Sequence, residues 1–323
     1  MSLFLHRRSL CSLVGLTVAL CAGNAQADEG GVSFWLPGQF GSLAAVPGAP
    51  GWSVGAVYYH TSADEETDKR THRGGDIVGG VDADADLLFV APTYTFATPL
   101  WGGQAALGGI VAFGSMKVKI DASYSGPHGA VISGGESDSR TGVSDLYGLG
   151  TVKWNHGVHN SMVYTMVGAP VGSYDADRLA NIGTNHWSVD AGGGYTYLNP
   201  ADKLEFSAVA GMTYNFENPD THYKNGIDAH LDWGASYFFS AASHVGLVGY
   251  FYEQLSGDSG DGATLGDYKS RVIGVGPQVG HFFAFNGGKG YVSFKAYGEL
   301  AAENRPAGWN VWLSVLLPLS SAH

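Results

Sequence analysis

A chain of 323 residues with 49 glycines, 14% charged side chains and a formal charge of −12 offers no basic surface for nucleic acid. Glycine runs at roughly twice its usual ~7% and charge well below the usual ~25%, a composition that suits a closed sheet half immersed in lipid. Both cysteines, Cys11 and Cys21, fall within the first 27 residues, which excludes disulfide staples and thiolate metal sites from the remainder.

Those 27 residues read as a signal peptide. His6, Arg7 and Arg8 make a basic start, residues 10–20 an apolar core, and Ala25-Gln26-Ala27 a small-residue cleavage site before Asp28. Removing Arg7 and Arg8 takes the formal charge from −12 to −14. Arg7-Arg8 is a weak twin-arginine pair, but a barrel crosses the inner membrane unfolded, which favours the general secretory route. Leu20 is too bulky for the residue preceding a lipidated Cys21. No later run reaches the ~18 continuous apolar residues of a membrane-spanning helix.

Residues 28–51 contain Phe34-Trp35-Leu36-Pro37-Gly38-Gln39-Phe40 and then Pro47-Gly48 and Pro50-Gly51. Proline and glycine break any ladder here, so this apolar, exported stretch is expected to fold into a lumen as a plug, with Phe34, Trp35 and Leu36 as apolar contacts. A tail resting on the barrel rim is the alternative.

From residue 52 onward the chain alternates apolar and polar positions. Strands are expected at 52–62, 81–96, 104–119, 143–154, 160–168, 186–198, 204–216, 227–239, 244–256, 270–285, 290–303 and 309–319. In 204–216, Leu204, Phe206, Met212 and Tyr214 take one face and Glu205, Ser207 and Thr213 the other. A soluble sandwich would alternate in the same way, but the connections discriminate. Those at 97–103, 155–159, 199–203, 240–243 and 286–289 are tight; those at 63–80, 120–142, 169–185, 217–226 and 257–269 are long and polar. Such sorting by parity matches short periplasmic turns and long extracellular loops. The fold class is therefore all-β, a transmembrane antiparallel barrel of about twelve strands over residues 52–323.

Strand parity selects Asp145, Lys153, Asp190, Glu205, His230, Asp232, Gln278, Lys295 and Glu299 as inward, pore-lining candidates, with lysines and carboxylates expected to pair across the lumen. Trp52, Tyr58, Tyr59, Tyr94, Phe96, Trp154, Trp187, Tyr195, Tyr197, Tyr250, Tyr252, Phe282, Phe283 and Trp309 are read as interface girdles. Asp228, His230 and Asp232 share a face that could hold an ion, though a wet pore wall explains them as well. Asp82, Asp84 and Asp86 form an acidic ladder, read as a rim at the cell surface rather than a calcium site. The Asp258-Ser259-Gly260-Asp261-Gly262 stretch lacks the spacing of a calcium loop. No nucleophile elbow or zinc-binding His-Glu-x-x-His is present, so no catalytic residue, metal or cofactor is assigned.

Gly274-Val275-Gly276-Pro277-Gln278-Val279-Gly280 and Glu303-Asn304-Arg305-Pro306-Ala307-Gly308-Trp309-Asn310-Val311-Trp312-Leu313 resemble the C-terminal signature of a family of bacterial outer-membrane channels. That family is labelled for the meta-cleavage pathway of phenol degradation. Leu36-Pro37-Gly38, Asp145-Leu146 leading to Lys153-Trp154, Tyr214-Asn215-Phe216-Glu217-Asn218-Pro219, and Gly249-Tyr250 leading to Gln254-Leu255 are similar too. The resemblance implies a twelve-stranded barrel passing small hydrophobic or aromatic compounds. One departure is the end, where Leu316-Leu317-Pro318-Leu319 and a short tail replace the usual terminal aromatic.

The expected function is passive uptake of small hydrophobic or aromatic solutes by a monomeric, non-enzymatic channel in the bacterial outer membrane, in contact with bilayer lipid and lipopolysaccharide. A general small-solute pore, a structural or adhesive barrel, and a lipid hydrolase are the alternatives.

Overall fold

The computed structural model describes residues 33–70, 76–125, 131–263 and 269–321. The expected signal peptide, residues 28–32 and parts of three of the long connections lie outside the described residues. Thirteen strands follow in order: β1 (Gly51–Arg70), β2 (Asp76–Thr95), β3 (Gln104–Ser125), β4 (Val131–Val143), β5 (Leu146–His156), β6 (His159–Ala169), β7 (Ser188–Asn199), β8 (Leu204–Asn215), β9 (Asp228–Phe238), β10 (Ser243–Gln254), β11 (Arg271–Phe285), β12 (Gly288–Glu303) and β13 (Ala307–Ser321).

Neighbours pair antiparallel, and β1 closes on β13 from Gly51 opposite Ser321 to Asp64 opposite Ala307. The lower part of β3 pairs with β5 and its upper part with β4. β4 and β5 are thus two halves of one wall strand, and the barrel has the twelve strands expected. The interruption falls at Ser144 and Asp145. There the Ser144 N–H donates to Ala112 O (2.8 Å) and the Ala112 N–H donates back to the Ser144 hydroxyl (2.8 Å), so a side chain stands in for a ladder carbonyl. Closure satisfies the backbone internally, the condition for crossing a bilayer with strands.

The burial pattern inverts that of a soluble protein. On β8, Leu204, Phe206, Met212 and Tyr214 are 42–50% exposed, while Glu205, Ser207, Thr213 and Asn215 are at most 3% exposed. A sandwich core would show the opposite, so the apolar face meets lipid and the polar face looks inward.

Two connections depart from expectation. Residues 63–80 and 120–142 are mostly strand, carrying the β1, β2, β3 and β4 sheet above the lipid band. Asp82, Asp84 and Asp86 lie on the outer face: Asp84 stands opposite Lys117, Asp82 opposite Lys119, and the Asp86 carboxylate accepts from Tyr58 (2.5 Å). The acidic run thus faces lysines of β3, with Lys119 at 3.9 Å from Asp82.

The inward face is uneven. Over β7, β8 and β9 it is polar, with Asp190, Thr196, Glu205, Ser207, Asp228 and Asp232 all buried. Over β1, β2 and β3 it is apolar, with Tyr59, Ala85, Leu87, Met116, Val118 and Ile120 buried in one cluster. Three rings assigned to the girdle belong inside instead: Tyr59, Tyr250 and Tyr252 are buried, because their parity places them on the inward face. Trp52, Tyr94 and Phe96 do cluster on the lipid face at a strand end.

Among the described residues β4 pairs with β3 alone, and the connection 170–187 covers its other side. Ser173 N donates to Val143 O (2.8 Å), and Arg178 forks onto Asp138 at 2.5 and 3.1 Å. The Ala180 N–H adds a third bond to the same carboxylate (3.1 Å), and the Arg178 guanidinium with it holds Asp138 well below the usual carboxylate range. A depressed carboxylate stabilises above the unfolded value of about 3.9 and loses that contribution as pH falls through the folded value. Residues 170–187 are accordingly expected to resist chymotrypsin at neutral pH and to be cut by pepsin only in strong acid. Arg178→Gln should expose them at neutral pH; unchanged cleavage would show that the fork does not hold the connection.

Candidate functional site

Residues 33–50 form no strand, yet their backbone is anchored to side chains of the polar arc. Gly38 and Phe40 donate their N–H groups to the two oxygens of Asp232 on β9 (2.9 and 3.0 Å). Lys295 on β12 donates to the carbonyls of Gly38, Gln39 and Phe40 (2.5, 3.1 and 3.2 Å). One short piece of main chain is thus clasped between a carboxylate and an ammonium group. Further along, Ser42 and the Leu43 N–H (2.8 Å) donate to Glu205 on β8, and Ala45 donates to Thr196 on β7 (3.0 Å). Lys153 on β5 donates to Ala44 O at 2.7 Å, and Gln278 on β11 to the Ser42 hydroxyl at 2.7 Å. Pro47, Gly48, Ala49 and Pro50 then lead directly into β1.

The clasp explains a correction. Lysines and carboxylates were expected to pair with each other, but among the described residues neither Lys153 nor Lys295 makes an ion pair with a carboxylate. The peptide backbone supplies donors to one sign and acceptors to the other, so each buried charge is satisfied through the segment.

The other candidates take varied places. Asp190 and His230 meet at 3.0 Å, both buried, with Thr213 donating to Asp190 (2.6 Å). Asp145 sits at the break in the split strand and accepts from the Gly172 N–H (2.9 Å) and from the N–H and hydroxyl of Thr184 (both 2.8 Å), so it fastens the connection 170–187. Glu299 accepts from Tyr250 (2.8 Å) and the Gly308 N–H (2.8 Å). Asp228 accepts from Asn215 (2.9 Å). Asp258 likewise fastens a loop, accepting from Tyr223 (2.5 Å) and Gln254 (2.6 Å).

Aromatic residues complete the site. Phe34 packs on Tyr147 (5.6 Å between centroids), and Trp35 lies on His230 (3.5 Å, 14° between planes) with Phe40 and Tyr164 beside it. Leu36 packs against the same cluster. Thr196, Tyr164 and Tyr297 were missed from the sequence, although inward parity on β7, β6 and β12 was the signal that would have found them.

Gly38 permits the clasp. Its φ of +86° belongs to the left-handed region, and a Cβ there would lie 2.9 Å from the Tyr297 ring. Gly38→Ala is expected to weaken docking of the segment by about 1–3 kcal/mol, read as faster amide exchange at residues 38–40 with the barrel intact. Exchange rates unchanged from wild type would refute this.

A closed twelve-stranded antiparallel barrel with lipid-facing apolar side chains and charged side chains buried within is a transmembrane β-barrel of the outer-membrane channel type. The sequence profile of the family described as "Putative MetA-pathway of phenol degradation" matches residues 67–315, and the chain belongs to that family. Among solved structures, the COG4313 outer membrane channel from Pseudomonas putida F1 superposes with a TM-score of 0.65 at 17% identity, covering 84% of this chain and 96% of that one. The translocator domain of the autotransporter NalP from Neisseria meningitidis reaches a TM-score of 0.30 at 10% identity, covering 84% and 90%. No curated protein matches the chain.

Proposed function

We propose that this barrel is a passive channel in the bacterial outer membrane for small hydrophobic or aromatic compounds, and that its plug is the segment 33–50, the described part of the 28–51 stretch that precedes the strands. The observation that carries the reading is the division of the inner wall. The polar arc is engaged by the segment's backbone, while the opposite arc is faced with the buried Leu87, Met116, Val118 and Ile120. A polar lumen would repel an apolar solute, but an apolar arc continuous with aromatic side chains gives it a favourable path, at roughly 25 cal/mol per Å² of apolar surface removed from water.

The family's label for phenol degradation supports the choice of solute. Asp190, Glu205, His230, Asp232, Gln278, Lys153 and Lys295 act in this reading as the plug's seat; Asp145 and Glu299 hold adjoining structure. Uptake of labelled phenol and a small sugar into proteoliposomes, with and without the full barrel, tests it. Selective phenol entry is expected. Sugar entry alone would make it a general pore, and entry of neither would overturn the channel reading.

A further inference from the structure

We propose that the aromatic box around Trp35 is a binding site for a small planar aromatic bearing a hydroxyl group, and that Trp35 occupies it as the chain's own stand-in for that solute. The inference rests on the channel reading above and names the solute class its interior recognises.

The box is built. Trp35 is 1% exposed, its indole flat against the His230 imidazole, with Phe40 (5.8 Å, 24°) and Tyr164 (5.9 Å, 34°) completing the surround. Two glycines thin the wall where these rings stand. A Cβ on Gly211 would fall 2.1 Å from the Tyr164 hydroxyl and 2.9 Å from His230, and one on Gly192 would fall 2.8 Å from the Tyr164 ring. Any other residue at Gly211 would push the Tyr164 and His230 rings apart.

Its polar atoms are incompletely used. Trp35 Nε1, His230 Nδ1 and Asp190 Oδ1 are all buried and make no hydrogen bond among the described residues, although His230 Nε2 meets Asp190 Oδ2 (3.0 Å) and the Tyr164 hydroxyl (3.2 Å). A buried indole N–H ordinarily finds an acceptor, and buried polar atoms ordinarily pair. Here the indole N–H, an imidazole nitrogen and a carboxylate oxygen, all buried, belong to one stacked cluster. A phenol offers the same flat face in a smaller outline, and its hydroxyl rotates to reach an open acceptor. Exchange of Trp35 for such a solute keeps the stacking and satisfies an atom left unpaired.

The test is equilibrium binding of phenol, toluene and cyclohexanol to the purified full barrel and to Trp35→Ala, with heat-modifiable electrophoretic mobility as the folding check. Removing the internal occupant is expected to tighten phenol binding by about tenfold or more. Toluene, lacking the hydroxyl, and cyclohexanol, lacking the flat face, are expected to bind less well. Asp190→Asn in the Trp35→Ala background should shrink the preference for phenol over toluene.

A second measurement needs no variant: saturating phenol, but not toluene, should speed amide exchange at Gly38 and Phe40 in the wild-type chain. Equal phenol affinity with and without Trp35, or equal binding of toluene and phenol, would overturn the proposal. Phenol uptake without tightened binding would leave the channel and remove the box. Tightened binding without uptake would do the reverse.

Discussion

Excising residues 34–46 is expected to raise the single-channel conductance of the reconstituted barrel on the order of tenfold, since eight-stranded barrels fill their interiors with side chains while sixteen-stranded ones leave an aqueous channel. Twelve strands lie between these cases, too wide to be filled by the wall alone. On the plug reading the segment supplies the missing matter, and it bonds to side chains of β5, β7, β8, β9, β11 and β12, strands spread around much of the closed wall. Planar-bilayer recording reads the result directly. Conductance unchanged from wild type, in a variant that still shows heat-modifiable mobility, would defeat the plug. Excision leaves Asp232 and Lys295 facing water in a widened lumen, so the barrel itself is expected to survive.

Lys295→Met has the second largest expected effect, on docking rather than on the wall. Lys295 is 5% exposed and Asp232 1%; Lys295 bonds to the carbonyls of Gly38, Gln39 and Phe40, and Asp232 to the amides of Gly38 and Phe40. Charge-assisted hydrogen bonds contribute about 1.5–3 kcal/mol each, and removing one partner leaves the others buried and unpaired. A loss of about 3 kcal/mol in local docking follows, equivalent to roughly a hundredfold faster exchange of the Gly38 and Phe40 amides. Asp232→Asn combined with Lys295→Met should cost less than the two separate changes added together, because the clasp works as a unit. Strict additivity in that cycle would mean that the two charges act independently.

The barrel was legible because lipid and water impose a period of two on every membrane-level strand. The expected strands at 204–216 and 227–239 coincide with Leu204–Asn215 and Asp228–Phe238 to within a residue. Where lipid ends, so does the signal. β4 contains Gly134, Gly135, Ser137 and Ser139 and shows no apolar face, so it reads as loop although it is half of a wall strand. The same parity brings Glu205, His230, Asp232, Gln278 and Lys295 to the inward side, which required only counting. What they bind was not countable. The partners of Asp232 lie more than 190 residues away in a stretch without periodicity, and they are backbone groups, which every residue carries alike. The pairing of lysine with carboxylate failed for that reason: charge is visible in a sequence, whereas a peptide group interposed between two charges is not.

The short Pro-Gly linker between Ala45 and Gly51 sets a boundary on how the segment can behave. The five residues between them span at most about 20 Å, so on the plug reading an undocked segment stays beside its seat and competes there as an intramolecular ligand. Effective concentrations for such short tethers lie in the millimolar range. On the reading proposed above, a solute entering the lumen contends with a resident rival that can neither diffuse away nor be diluted. The barrel would then respond to supply as a threshold device, shut while aromatic compounds are scarce and yielding once their local abundance approaches that of its own tethered tryptophan.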